Sequence, residues 1–544
     1  MNVGTLNSIV RLACERAADD AFLEVIGAGT QTYAEAYEAA RKCAAAFRKL
    51  GVGNGDIVAI VGNNTFDTVH SWLGANLAGA AEATINPAYR GASLEHALNT
   101  VRARVAVVEE RYLATLRDSE SALPHLRTIL CSRRDREVGN ANIPRFQRIE
   151  VLSLTQMTAS SEPGPDAEPS VADVASVIFT SGTTGPAKGV LMPHAQIHAL
   201  ACQTVRGLRL TRKDTLYTFH PLFHMAGKFM GLLAMMMAGG KVSLDSGFDP
   251  TTWLDRVRET RATVGLAHGP MIEMVFGQPE RPDDRDHSMS RIMAVPLPKR
   301  IGPAFETRFN VSAIEVWGMT EVNVPSWRPF DEPSRPGSCG KVDLEAYDLR
   351  IVDPETDEER PVGCQGEIVI RHKKPWTIMQ GYLGAPEKTV EAWRNLWFHT
   401  GDIGYLDDEG YLYILDRLGD RIRRRAENIS SYDIEAAATS HPDVLEAAAI
   451  GVPSEFEGDD DIKLFVVLRP DAVFVPADIV RHLLRYLPHF MVPRYIAPID
   501  ALPRTPTNKV RKSELRADTS GPGAWDRKRA GLALRDMASN LPTS

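Results

Sequence analysis

The chain has 544 residues, with 62 Lys plus Arg against 70 Asp plus Glu, and its formal charge of −8 argues against a protein built to neutralise a nucleic-acid backbone. At roughly 100 to 200 residues per domain, two or three domains are expected. A composition of 44% hydrophobic and 24% charged residues excludes disordered, collagen-like and membrane classes. No apolar run approaches the roughly 20 residues of a membrane-spanning helix. The opening stretch MNVGTLNSIVRLACERAADD sets acids and polar residues where a secretory signal would be apolar, so a cytoplasmic location is expected.

Short β-branched runs alternate with Ala-rich segments from the start of the chain. The pattern predicts a strand at Ile57–Val61 and a helix over 65–77, then a strand over 105–108 and a helix over 112–116. Such alternation marks α/β layers around a largely parallel sheet. Six cysteines (Cys14, Cys43, Cys131, Cys202, Cys339, Cys364) stand singly with no CxxC pair, so reduced and mostly buried thiols are expected. The stretch SSEPGPDAEPS over 160–170 reads as a surface loop.

A buried-looking strand follows at Val174–Thr180 and runs directly into Thr180, Ser181, Gly182, Thr183, Thr184, Gly185, Pro186, Ala187, Lys188 and Gly189. Glycines let backbone N–H groups crowd round a polyphosphate, hydroxyls add donors and the lysine adds charge. No Ser or Thr follows the lysine, so this is not the GxxxxGK[ST] pattern. Taken alone, a flexible Ser/Thr/Gly loop is an equal reading.

Further on, His220-Pro-Leu-Phe-His224 sets two histidines four apart, but Pro221 disfavours the helix that a metal pair needs. His220 and His268 are open to a reading as packed core. Met225, Met230 and Met235 to Met237 are expected in the core as well, although thioether walls also suit varied acyl groups. From Asp348 the chain turns to strands punctuated by acidic and glycine turns, which predicts antiparallel hairpins. Beyond Arg417 a small α+β pattern has helices near 432–440 and 477–487 and strands near 446–450 and 463–468. Residues from about Thr519 read as a loosely held polar tail.

Four more short motifs follow the phosphate-type loop. They are Trp317-Gly318-Met319-Thr320-Glu321, Thr400-Gly401-Asp402, Asp416-Arg417 with an arginine-rich hairpin, and Arg504-Thr505-Pro506-Thr507-Asn508-Lys509-Val510. In this order, over nearly the whole chain, they resemble the acyl-adenylate-forming superfamily of acyl-CoA synthetases, firefly luciferase and peptide-synthetase adenylation domains. AENISSYDIE and the Val295-Pro296 region look most like its crotonobetaine/carnitine-CoA ligase branch.

The resemblance implies an α/β fold with a large N-terminal domain (1–416) of layered α/β subdomains plus a β-rich subdomain. A small mobile α+β C-terminal domain (417–518) and a polar tail (519–544) would follow. It implies ATP, Mg²⁺ and coenzyme A as cofactors, and partners limited to a small-molecule carboxylate, with a homodimer as an option. The loop from Thr180 to Lys188 would hold the β and γ phosphates. Thr320 would bond the α-phosphate, and Glu321 would bind Mg²⁺, a hard cation that prefers oxygen. Trp317, beside Gly318, would stack on adenine where the family more often has Tyr. Asp402 would accept from the ribose hydroxyls with help from Arg417, and His224 would line the carboxylate's path. Lys509 would bridge the carboxylate and the α-phosphate, where a point cation stabilises developing charge.

Four positions depart from the family pattern. Ala294 to Pro298 replaces a Gly-Gly-Ala-Pro-like stretch near adenine, and Gly419 stands at the hinge in place of Asp or Lys. Ala426 replaces a glycine that lets pantetheine pass, and Asn508 replaces a glycine beside the lysine. Against the added methyl, Arg421, Arg423, Arg424 and Arg425 offer a basic run for CoA phosphates or a solvated edge. Lys228, four residues beyond His224, is open to two readings: a place at the acyl pocket, favouring an acid with a second anionic group, or the commoner outcome of a lysine pointing to solvent. The expected activity is an ATP-dependent carboxylic acid–CoA ligase. Its rivals are adenylation with a carrier-protein acceptor, a luciferase-like oxidation of the adenylate, and a degenerate nucleotide-binding protein without turnover.

Overall fold

The computed structural model describes residues 4–133, 143–180, 187–417, 422–424, 427–429, 431–454, 460–487, 489–504, 510–517 and 524–532. Two large sheets dominate. One has eight strands in the spatial order 381–382, 188–193, 174–180, 81–85, 57–61, 105–109, 128–132 and 150–153. Its strands from 81–85 to 150–153 pair in parallel, which demands crossover connections rather than tight hairpins. The strands Ile57–Val61 and Val105–Glu109 and the helix Phe66–Leu77 lie where the alternating pattern puts them. Thr65 caps that helix by accepting from the Thr68 N–H. The segment 112–116 is a single 3₁₀ turn running into the short helix Leu113–Asp118.

The second sheet has thirteen strands. Its centre is parallel, with Ser312–Met319, Arg291–Val295, Val264–His268, Thr215–Thr218 and Lys241–Leu244 side by side. The β-rich stretch expected after Asp348 forms one end of this sheet. There Tyr347–Val352 pairs antiparallel with Gly366–His372, and Phe398–Leu406 with Tyr411–Arg417. The main core joins the two sheets through Val58, Ile60, Ile178 and Val190 on one side and Val242, Val264, Ile314 and Val316 on the other. Fully burying each such side chain is worth about 1.5–3 kcal/mol.

The methionine segment is buried as expected from Met230 to Met236, with Met237 partly exposed, but its helix has a form the sequence does not announce. Residues Ala226–Leu233 make a π-helix that passes into an α-helix at Ala234–Ala238. Gly227 allows its start to press on the preceding loop, since a Cβ there would lie 2.5 Å from the His220 carbonyl oxygen.

The chain after Arg417 carries its own sheet, 444–453, 460–468, 495–498 and 525–526, beside the pair 422–424 and 427–429. One expectation is corrected here. The polar stretch after Thr519 is not all loose, because Trp525–Asp526 adds a strand against Tyr495 and Ile496. Asp526 ion-pairs there with Arg494, which also holds Asp461 at 2.7 Å. A composition-based reading misses this because the anchoring arginine is 32 positions away.

Candidate active site

Four neighbouring parallel strands of the large sheet end at one edge, in the order Ser312–Met319, Arg291–Val295, Val264–His268 and Thr215–Thr218. At about 4.8 Å per strand the row spans about 14 Å. The carboxyl ends of such strands are where α/β sheets bind ligands. A cleft of about 2230 Å³ opens there and is closed on its other side by Lys188 and Tyr382 of the eight-stranded sheet. A separate groove of about 590 Å³, lined by Phe276, Arg281 and Arg308 among others, holds none of the motif residues.

Thr320 and Glu321 occupy the turn between the strands Ser312–Met319 and Asn323–Trp327. The hairpin closes tightly because Gly318 has no side chain, as a Cβ there would lie 2.0 Å from the Asn323 carbonyl oxygen. The buried Gln196 amide, on the helix His194–Leu208, donates to the Thr320 carbonyl at 2.8 Å and reaches that of Glu321 at 3.4 Å. The turn is therefore fixed from beneath, and both residues are largely buried while still lining the cleft.

Glu321 is held from the side as well. The Tyr382 hydroxyl donates to its Oε1 at 3.0 Å, and Lys188 Nζ stands 4.1 Å from the centre of the same tyrosine ring. A cation over a ring face is attracted by the ring quadrupole. The strand Gly381–Tyr382 owes its place to pairing with the strand that starts at Lys188, with Tyr382 opposite Val190. One tyrosine thus spaces an ammonium and a carboxylate across the cleft. Thr180 lies at the rim, and Ser181, Gly182, Thr183, Thr184, Gly185 and Pro186 lie outside the described residues.

Asp402 sits on the strand Phe398–Leu406, directly opposite Arg417 in the strand register. Its Oδ2 accepts from the Trp317 indole N–H at 2.8 Å. The Trp317 ring is 6% exposed and belongs to an apolar cluster with Cys339, Ile351, Ile368 and Leu412. Trp317 therefore ties two separate strands together through Asp402. The Arg417 side chain, Gly419, Ala426, Arg421, Arg425 and Lys509 lie outside the described residues, as do the side chains of Arg423 and Arg424. Arg504 and Val510, which bridge each other on either side of 505–509, both line the cleft.

At the other end of the row stand His224, His268 and His220. The ring of His268 is 4.9 Å from His220 and 5.9 Å from His224, edge-on to both. The Ala226 N–H donates to His224 Nδ1 at 3.2 Å, so that nitrogen carries no proton. His220 is buried, and burial with its two histidine neighbours pushes its pKa well below the usual range, which makes it a neutral core residue. Among the described residues no group of three or more His, Cys, Asp or Glu is arranged to hold a metal ion by itself.

Lys228 corrects the sequence expectation. It is fully buried and ion-paired with the equally buried Glu82 Oε1, which also accepts from Ser176, while Thr84 donates to Oε2 at 2.9 Å. Burial lowers the lysine's pKa, which Glu82 opposes. The lysine points into the interior toward Glu82, whose opposite charge makes its burial tolerable. Sequence reasoning also missed Tyr382 and Gln196, which act through residues far away along the chain.

The model of the AMP-binding enzyme family matches residues 10–383, and that of the AMP-binding enzyme C-terminal domain matches 433–509. Curated relatives include a 4-coumarate–CoA ligase of Oryza sativa, 29% identical with 89% of this chain and 87% of the relative covered. A Rhodococcus jostii CoA ligase for 3-[(3aS,4S,7aS)-7a-methyl-1,5-dioxo-octahydro-1H-inden-4-yl]propanoate is 31% identical, with 90% and 93% covered. A crotonobetaine/carnitine–CoA ligase of Salmonella agona is 28% identical, with 89% and 93% covered. Among solved structures, ATP-bound MatB from Rhodopseudomonas palustris has a TM-score of 0.83 at 25% identity, over 94% of this chain and 99% of that one. The anthranilate CoA ligase AuaEII with anthranoyl-AMP has the same fold, with a TM-score of 0.85 at 23% identity over 98% and 99%. Matched over more than half its length by the first of these models, the chain belongs to the AMP-binding enzyme family.

Proposed function

We propose that the protein is an ATP-dependent carboxylic acid–CoA ligase. The observation that carries this reading is the line Lys188, Tyr382, Glu321 with Thr320 at one end of a cleft whose other end is apolar. A carboxylate is a poor acyl donor because its leaving group would be oxide. Attack of its oxygen on the α-phosphorus of ATP expels pyrophosphate and makes an acyl-adenylate, whose AMP is a good leaving group. The CoA thiolate then displaces AMP to give the thioester.

In this reading Lys188 and the loop before it would hold the β and γ phosphates, and Thr320 the α-phosphate. Glu321, with one oxygen engaged by Tyr382, suits a Mg²⁺ site of the usual kind, in which one or two carboxylates and the substrate phosphates supply the oxygens. Magnesium would supply charge neutralisation on those phosphates. Asp402, held by Trp317, would accept from the ribose hydroxyls with Arg417 opposite it; the Trp317 side chain, buried in its apolar cluster, would serve the nucleotide by holding that carboxylate rather than by stacking on adenine. His224 would line the carboxylate's path with its Nε2–H.

Lys509 would place its cation between the carboxylate and the α-phosphate, a role supported by the presence of Arg504 and Val510 at the cleft. The unit 417–518 would swing about Gly419 for the second step, past Ala426. A cytoplasmic location goes with this reading, since ATP and coenzyme A are supplied there. The coenzyme A half rests on the relatives, whose printed names are those of CoA ligases. Lys509→Ala should abolish AMP formation while calorimetry shows ATP still binding, and undiminished AMP formation would remove Lys509 from the chemistry.

A further inference from the structure

Within that ligase reading, on which this inference rests, the geometry points to an acid whose tail is uncharged and predominantly apolar. The end of the cleft away from Lys188 and Glu321, beyond the strands Arg291–Val295, Val264–His268 and Thr215–Thr218, is walled by Met225 and Met230 of the π-helix region, Met271 and Val295, with the two imidazoles of His224 and His268. Among the described residues lining the cleft between 224 and 230, 268 and 271, and 295 and 296, none is Lys, Arg, Asp or Glu. The segment's one lysine, Lys228, is spent on Glu82 in the interior and presents no charge to the acid. His224 turns its Nδ1 to the Ala226 N–H as an acceptor, not to the acid.

A second ionised group on the acid would therefore be stripped of water and given no counter-charge, at a cost no wall contact returns. A quaternary ammonium would need aromatic faces, and thioethers rather than Phe, Tyr or Trp line this end. Three flexible methionine side chains adapt instead to the outline of an alicyclic or aryl body. The acid carries one charge, the carboxylate to be activated, and that charge sits at the cationic end. This separates the chain from the crotonobetaine/carnitine branch that its motifs resemble, because crotonobetaine bears a trimethylammonium group.

The test uses the full-length protein and three sulfamoyl-adenosine analogues of the adenylate, with cyclohexylpropanoyl, glutaryl and 4-(trimethylammonio)butanoyl tails, measured by calorimetry. The cyclohexylpropanoyl analogue should bind more than tenfold tighter than either charged one. Equal affinities within tenfold, tighter binding of a charged tail, or no binding by any analogue would overturn the assignment. AMP release from the three free acids with ATP and Mg²⁺ separates the two readings. Preferential binding with no AMP from any acid would sink the ligase reading and leave the tail assignment standing, whereas AMP from the charged acids alone would do the reverse.

Discussion

At Tyr382 a single hydroxyl and a single ring connect the Glu321 carboxylate and the Lys188 ammonium, the two charges to which the proposed reading gives Mg²⁺ and the phosphates. A hydrogen bond to a carboxylate is worth about 1.5–3 kcal/mol, so Tyr382→Phe should lower adenylation about ten- to hundredfold. It should also raise the Mg²⁺ concentration for half-maximal rate, because Glu321 loses its orientation. Tyr382→Leu, which removes the ring under Lys188 too, should weaken ATP binding in addition; a Phe variant with an unmoved Mg²⁺ dependence would reduce the tyrosine to packing. Glu315 makes a different case at the same scale. Burial pushes its carboxyl up to about 8, so the folded chain holds a proton that the unfolded chain releases in the ordinary carboxylate range. Its contribution to stability is complete below that range and is lost as the pH rises through about 8. Chemical denaturation at pH 5 and pH 8 should show a loss in the wild type of the order of a few kcal/mol, absent in Glu315→Gln. The motif residues themselves, Thr320, Glu321, Asp402 and Lys188, were legible in the sequence because each sits in a short ordered pattern. Tyr382 was not, since its hydroxyl serves a carboxylate 61 positions away and nothing local marks it.

Among the elements, the π-helix Ala226–Leu233 has the most to explain. Its apolar run was readable as buried, but the sequence does not distinguish a π-helix from an α-helix, and the contacts that accompany it, the loop against Gly227 and the Lys228–Glu82 pair, are tertiary. The pair joins this helix to the strand Ala81–Ile85 of the other sheet, across 146 positions. Removing one partner leaves a buried charge, so Lys228→Ala should cost about 3–5 kcal/mol. The paired change Lys228→Met with Glu82→Leu should be close to neutral, because both desolvation costs vanish together. Urea denaturation of the two variants decides between them; a mild Lys228→Ala would mean that water reaches the pair. The hairpin that carries Thr320 and Glu321 is the opposite case. Its Gly318 was visible as a motif residue, and the structure supplies the reason, a backbone passing where no side chain fits.

In the whole molecule, Thr180, Lys188, Thr320, Glu321, Thr400 and Gly401 line one cleft where two sheets meet, and the C-terminal unit contributes to the same lining. Arg504 and Lys512 line that cleft together with His96 and Glu321 of the larger part, and Lys299 lies 5.6 Å from the Tyr432 ring across the junction. Alternation of strands and helices made the layered α/β architecture legible, and the order of motifs pointed to the family. The neighbours within each sheet were not legible, since the pairing of 381–382 with 188–193 depends on packing spread over nearly two hundred residues. The docking of Trp525–Asp526 was missed for the same reason. The central claim is that this cleft activates a carboxylate as an adenylate and passes it to coenzyme A. The measurement that tests it most directly is AMP and thioester formation from ATP, Mg²⁺ and a panel of uncharged-tail monocarboxylates, with and without coenzyme A, each product followed by mass. AMP and acyl-CoA rising together for at least one acid is the predicted result. Acyl-adenylate that forms but never becomes thioester would contradict the coenzyme A half, and ATP bound without AMP from any acid would contradict the whole.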